Sequence, residues 1–270
     1  MTLSETLLEL SVINRDNGRK FTDTSRLNAI SEALSATKYS CINPGGLFHL
    51  YSPEPVSKIA QPVVIISSHV DCERSITKCF TEFLPGGLMR GTFDNSITNA
   101  SLLHLMLEGR LPDNILVAFT GDEERNSRGA EQVMRFAKYS GLEVECVIVL
   151  DVTDMGWLEG ADFTVENNFW SDSLGAKVIM SAENSGFKWC FVPENPYDIP
   201  RYVDMKYVLP FEAAEDESWE YDENDVQCFC LCIPVEGDMH SNEGVYARQE
   251  SFMRYTDVVA QTASTISRRQ

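Results

Sequence analysis

The chain is short of basic residues, short of histidine and without a single CxxC pair: 22 Lys and Arg stand against 41 Asp and Glu, with four His. The resulting net charge of −19 repels nucleic acid and anionic membrane surfaces, so neither is an expected partner. No apolar run approaches the roughly 18 residues that a bilayer span needs. Also missing is a charged start followed by an apolar stretch and a small-residue cleavage site. Met1-Thr2-Leu3-Ser4-Glu5 opens an amphipathic helix instead, and a cytoplasmic protein is expected. The eight cysteines include Cys228, Cys230 and Cys232, which alternate along one strand face. They read as buried free thiols in a reducing compartment.

What is present is an ordinary globular composition, 43% hydrophobic and 23% charged, over 270 residues. That length is ample for one sizeable core. Neither an internal repeat nor a linker marks a second domain, so residues 1–270 are read as one. Leu7, Leu8, Leu10 and Val12 suit a packed first helix. Asp23 or Thr24 could cap a second, running to about Ser35 with Leu27, Ile30 and Leu34 inside. A strand pair follows, interrupted by Pro44-Gly45-Gly46. Helical patterns recur near 96–108, 127–140, 173–184 and 250–266, with strand-like runs between them. The alternation predicts an α/β fold, a three-layer α/β/α sandwich with helices on both faces of a mixed, largely parallel sheet.

Five acidic or histidine-bearing segments stand out in order: His69-Val70-Asp71, Asp94-Asn95, Asp122-Glu123-Glu124, Asp151-Val152-Thr153-Asp154 and His240-Ser241-Asn242-Glu243. Three directly follow the apolar runs 62–66, 115–119 and 147–150, where α/β sheets gather ligands at strand carboxyl ends. Histidines and carboxylates delivered there suit a hydrolytic metal site. Each segment also has a plain reading alone. His69 could be a core histidine, Asp94-Asn95 a helix cap or turn, and the glutamate pair a charged loop. If the strand pleat continues, Asp71 accepts from the ring nitrogen of His69 that faces away from the metal. Adjacent Glu123 and Glu124 resist joint ionisation unless a positive charge lies between or beside them. Dividing the work resolves this, with Glu124 as ligand and Glu123 as general base. His69, Asp94, Glu124, Asp151 and His240 then supply two imidazoles and three carboxylates. Two divalent cations and one hydroxide balance that charge, which favours two metals over one. His49 and His104 lie away from the acidic segments and are read as structural.

The ordered set resembles the zinc aminopeptidase superfamily, specifically the co-catalytic metallopeptidases of the M28 and M42 families. Val152-Thr153 after Asp151, Arg128-Gly129-Ala130 after the glutamate pair, and Met239-His240-Ser241 with Glu243 look closer to the M42 type. The resemblance implies that His69 and Asp151 hold one zinc, Glu124 and His240 the other, and Asp94 bridges them. Asp71 would orient His69, and Glu123 would activate the water. It also implies a cis peptide at Asp94-Asn95. Two features depart from the M42 pattern. Residues 72–93 are too few for the inserted lid domain, so assembly into large homo-oligomers does not carry over. Asn126 stands where the family has glycine, a mild change because asparagine tolerates a left-handed backbone.

The expected activity is therefore a metal-dependent hydrolase, an aminopeptidase on peptides, with two divalent ions as cofactors. Zinc leads, with cobalt or manganese also suited to these ligands. An amidase or deacylase acting on N-acyl amino acids would use the same centre, and a non-catalytic metal-binding relative is the third reading. The acidic stretch 212–225, with eight carboxylates, is read as a solvated loop before an attractor of substrate ammonium.

Overall fold

The computed structural model describes all residues except 44–45, 167–171, 196, 198, 213–215 and 268–270. Helix α1 (Leu3–Leu10) starts from a capping box in which Thr2 and Glu5 satisfy each other's backbone donors. A small ribbon, β1 (Arg15–Asp16) with β2 (Phe21–Asp23), separates it from α2 (Ser25–Leu34). The antiparallel strands β3 (Ser40–Asn43) and β4 (Phe48–Ser52) lead to β5 (Val63–His69). Next come the hairpin β6 (Thr81–Leu84) and β7 (Leu88–Gly91), then α3 (Ser96–Leu107) and β8 (Ile115–Thr120). The short α4 (Glu123–Asn126) and α5 (Arg128–Tyr139) precede β9 (Val144–Thr153) and β10 (Phe163–Glu166). The remainder is α6 (Asp172–Asn184), β11 (Trp189–Val192), α7 (Ser218–Glu223), β12 (Cys228–Pro234), β13 (Val245–Arg248) and α8 (Gln249–Ser267).

The central sheet has eight strands in the order β11-β10-β12-β9-β5-β8-β4-β3. Its middle four, β12, β9, β5 and β8, run parallel, while β4, β3 and the β10–β12 pairing are antiparallel. This is the mixed, mostly parallel sheet that the alternating pattern predicts. Successive side chains of a strand leave on opposite faces, and both faces here are apolar. Val64 and Ile66 of β5 join the core under α1, α2, α3, α6 and α8. Val63 and Ile65 join the opposite core under α5 and Tyr221 of α7. Cys228, Cys230 and Cys232 share that second face, all buried and none in a disulfide.

Helix α3 departs from a one-sided helix because it is covered all round. Its polar residues survive burial by finding partners: Thr98 meets Ser68 at 2.9 Å and Ser101 meets Thr256 at 2.9 Å. In α1, Leu7 and Leu10 are buried, but Leu8 is exposed and Val12 lies past the helix end. Residues 72–93 hold the β6–β7 hairpin, which β13 extends into a small three-stranded sheet. No described helix is long and apolar enough to cross a membrane.

Candidate metal centre

Three central strands deliver the site. His69 is the last residue of β5 and pairs in register with Thr120, the last of β8. Asp151 lies in β9, which continues through Thr153 instead of ending at the aspartate. The His69 ring is buried, with Nε2 2.9 Å from Asp94 Oδ1, 3.7 Å from Asp151 Oδ1 and 3.8 Å from Glu123 Oε2. Its other nitrogen, Nδ1, lies 3.5 Å from Asp71 Oδ1. His240 Nε2 sits 3.3 Å from Asp94 Oδ2 and 3.4 Å from Glu124 Oε2. The two oxygens of Asp94 thus face two different histidines. Ligand-capable atoms fall into one group of His69, Asp94 and Asp151 and another of Asp94, Glu124 and His240, each set lying within 4.8 Å. Glu123 comes within the same reach of His69 and Glu124, so its carboxylate borders both groups.

Local structure explains how Asp94 comes to lie between them. Asn95 Nδ2 donates to the carbonyl of Leu150 at 2.8 Å, pinning the start of α3 to β9. Asn99 Nδ2 donates to the carbonyl of His69 at 2.8 Å and to Ser68 Oγ at 2.6 Å, pinning the next turn to β5. The Asp94-Asn95 peptide is cis, as the resemblance implies. The glutamate pair is presented by a tight turn. Asp122 (φ 66°) and Ser127 (φ 47°) are left-handed on either side of α4, whereas Asn126 itself is helical. Asp122 N donates to Asp16 Oδ2 at 2.6 Å. A Cβ at Gly129 would fall 2.5–2.7 Å from backbone atoms of Gly121 and Leu47, so only glycine lets α5 start this close to the sheet.

His240 arrives differently, on the loop between β12 and β13. Ser75 Oγ donates to the His240 carbonyl at 2.8 Å. Asn242 clamps the same loop, accepting from Thr77 N and Oγ1 at 2.7 and 2.9 Å and donating to the Ser75 carbonyl at 2.7 Å.

Burial and mutual charge set how this donor set titrates. Burial pushes Glu124 up to about 10 and Asp151 up to about 6, with neighbouring carboxylates adding to both. Burial also raises Glu123 well above the carboxylate range, against the pull of His69. Burial works to lower His69, but Glu123, Asp151 and Asp94 together hold it well above an ordinary histidine. The same burial opposes ionisation of Asp94, yet His69 and His240 keep it well below the usual range. Asp94 Oδ1 and Glu124 Oε1 are buried without a well-oriented hydrogen-bond donor. Orphaned acceptors and raised carboxylates converging on imidazoles form a donor set that could hold cations, and mixed nitrogen and oxygen ligands suit zinc.

Some neighbours carried no local sequence signal. Behind Asp71, the buried Asp16 accepts from Gly18 N at 2.8 Å as well as from Asp122 N. Arg128 Nε lies 3.3 Å from Asp122 Oδ2. The stretch 212–225 is not wholly a solvated loop. Glu217 is 1% exposed and accepts from Ser67 Oγ and from Thr120 Oγ1 at 2.6 Å, while Glu212 and Asp216 line the cavity beside the centre. Residues 213–215 of that stretch lie outside the described residues. His104 is away from the centre, with Nε2 3.3 Å from Glu108 Oε1, and His49 packs edge-on against Phe21.

A mostly parallel sheet flanked by helices, with these groups at its carboxyl edge, defines a zinc-exopeptidase-like fold. The TET aminopeptidase from the marine sediment archaeon Thaumarchaeota archaeon SCGC AB-539-E09 is similar in structure, with a TM-score of 0.72 and 9% identity over 98% of this chain and 99% of that one. PhTET1-12s, a dodecamer in its asymmetric unit, is similar with a TM-score of 0.68 and 11% identity over 97% and 99%. BSAP, a zinc aminopeptidase from Bacillus subtilis, is similar with a TM-score of 0.55 and 16% identity over 80% of this chain and 48% of that one. At such identities the likeness establishes the fold. No protein-family model matches the chain, and no curated protein matches it in sequence.

Proposed function

We propose that this protein is a two-metal aminopeptidase that removes N-terminal residues from peptides. The observation that carries the proposal is Asp94, whose two oxygens face His69 and His240 with Asp151 and Glu124 beside them. His69 and Asp151 would hold one ion and Glu124 and His240 the other, with Asp94 between the two. Zinc fits these ligands, and all of them come from one chain, so a homo-oligomer is not needed to complete the centre. When bound, the ions would polarise the scissile carbonyl, acidify a water and stabilise the oxyanion.

The chain's own residues do the rest. Asp71 Oδ1, 3.5 Å from Nδ1 of His69, would orient the ring and leave Nε2 facing the centre. Glu123 Oε2 takes the proton of the attacking water and returns it to the leaving amine. A cavity of about 360 Å³ adjoins the centre and is further lined by Asp154, Glu166, Glu212 and Asp216, with Arg125, paired with Asp16 and Asp122 at 4.0 Å, as its one Lys or Arg among the described residues. No Lys or Arg occurs in 151–176 or 207–247, the segments that carry those residues. Such a wall favours a substrate with a free ammonium over a neutral N-acyl group, which supports an aminopeptidase over a deacylase.

Replacing Glu123 with Gln should leave both ions bound and lower kcat by ~100- to 10,000-fold, the usual contribution of a positioned base. Near-normal turnover in that variant would refute the assignment. Aminoacyl and N-acyl substrates assayed in parallel separate the alternatives. Cleavage of N-acyl compounds alone would make the protein a deacylase. Turnover of neither, with ions bound, would make it a binding protein.

A further inference from the structure

Two cysteines beside the centre take no part in the proposed hydrolysis. Cys72 Sγ and Cys79 Sγ lie 3.8 Å apart, the first buried and the second half-buried. They bracket the loop whose Ser75 and Thr77 hold the His240 segment. A second feature involves Arg26, which is fully buried. Among the described residues its acceptors are the carbonyls of Leu10, Val12 and Val70, the amide oxygen of Asn99, and Cys72 Sγ at 3.7 Å. A buried guanidinium needs a counter-charge. Cys72 is the one ionisable group among those acceptors, and its thiolate would supply that charge. The hydrogen bond from Cys79, aided by Arg26, lowers the Cys72 thiol to about 5, while the same bond and burial raise Cys79. Cys72 also lines a cavity of about 210 Å³ with Arg15, Arg74 and Arg125, which gives a small oxidant a route to it.

We propose that Cys72 and Cys79 form a peroxide-oxidised dithiol, a modification site that closes a disulfide across the base of the loop holding His240. The steps balance. The Cys72 thiolate attacks one oxygen of hydrogen peroxide, an S–O bond forms, the O–O bond breaks and hydroxide leaves. The sulfur of Cys79 then attacks that of Cys72, an S–S bond forms and the S–O bond breaks. The Cys79 proton and one more from solvent carry the two oxygens away as water. The sulfurs lose two electrons and the peroxide gains them. Bonding requires the sulfurs to close from 3.8 Å to about 2.05 Å. That movement draws on the loop and discharges the counter-ion of Arg26, so the clamp on His240 loosens. This last consequence rests on the two-metal reading; the disulfide itself does not.

The test is stoichiometric hydrogen peroxide on the full chain, followed by non-reducing peptide mapping in which all eight cysteines compete. The Cys72–Cys79 cross-link should appear before Cys41 or Cys190 reacts. Cys79→Ser should instead accumulate a Cys72 sulfenic acid that dimedone traps. Oxidation starting at another cysteine, or of these two without a cross-link, would overturn the proposal. Manganese, which thiolates bind poorly, then reports the coupling. One of its two binding steps should weaken at least ~10-fold in the disulfide form and recover with a thiol reductant. Unchanged manganese binding in a cross-linked protein would overturn the coupling alone. Absence of manganese binding before oxidation would count against the two-metal reading, with the cross-link untouched.

Discussion

His69 and Asp151 reach the centre from neighbouring central strands, with side chains 2% and 12% exposed, whereas His240 arrives on a loop with its side chain 56% exposed. The first half is fixed by the sheet itself, since His69 pairs in parallel register with Thr120 of β8 and Asp151 with Cys232 of β12. The second half depends on α4, a single short turn, and on side-chain bonds from Ser75, Thr77 and Asn242. Preorganised ligands bind more tightly because less ordering remains to be done on binding. One ion should therefore be held by the core of the fold and the other by its periphery.

The variant expected to do most damage erases the contrast. Asp94→Ala removes the carboxylate common to both halves, so ion binding to each should fall together and turnover should drop below detection. Loss of one ion alone would show that Asp94 does not bridge.

Smaller changes should separate the halves. Asp71→Asn acts behind His69, and Asn242→Ala acts beside His240. Each should weaken only its own ion by ~10- to 100-fold, the usual cost of removing a residue that orients a ligand. Titration calorimetry on both variants would show which step moves. If both variants weakened the same step, the division into core and periphery would fail.

A gentler probe uses protons. Without metal, Glu124 is raised to about 10 and holds a proton at neutral pH, which an arriving cation must displace. Binding should therefore release protons, and affinity should rise as pH approaches 10. The sign for stability follows the same shift. A raised carboxyl favours the folded state below its unfolded pKa and loses that advantage as pH climbs through its folded value. The metal-free protein should thus melt at lower temperature on the alkaline side, and added zinc should reverse the trend. Calorimetry in buffers of different ionisation enthalpy measures the proton count directly.

The layered fold and the ordered segments were readable for one reason. Buried parallel strands are written as continuous apolar runs, and a histidine or acid directly after such a run lands at the carboxyl edge of the sheet. β5, β8 and β9 follow that rule, and the side chains of His69, Asp94, Glu123, Glu124, Asp151 and His240 all line one cavity. The small sheet of β6, β7 and β13 was not readable. Its strands are four residues each, too short for a period of two to stand out, and β6 buries none of its side chains. Asp16 and Glu217 were missed for a different reason. Each is a lone acid far in sequence from the groups it serves, and Glu217 sits within an acidic run whose composition suggests solvent. Only the fold reveals that it turns inward to Ser67 and Thr120.

The most direct measurement is a zinc titration of the metal-free protein beside the His240→Ala variant, followed calorimetrically and checked by elemental analysis after dialysis. The account predicts two binding steps in the native chain and a single retained step in the variant, held by the strand-borne half. One ion in the native chain, or the loss of both ions from the variant, would contradict it.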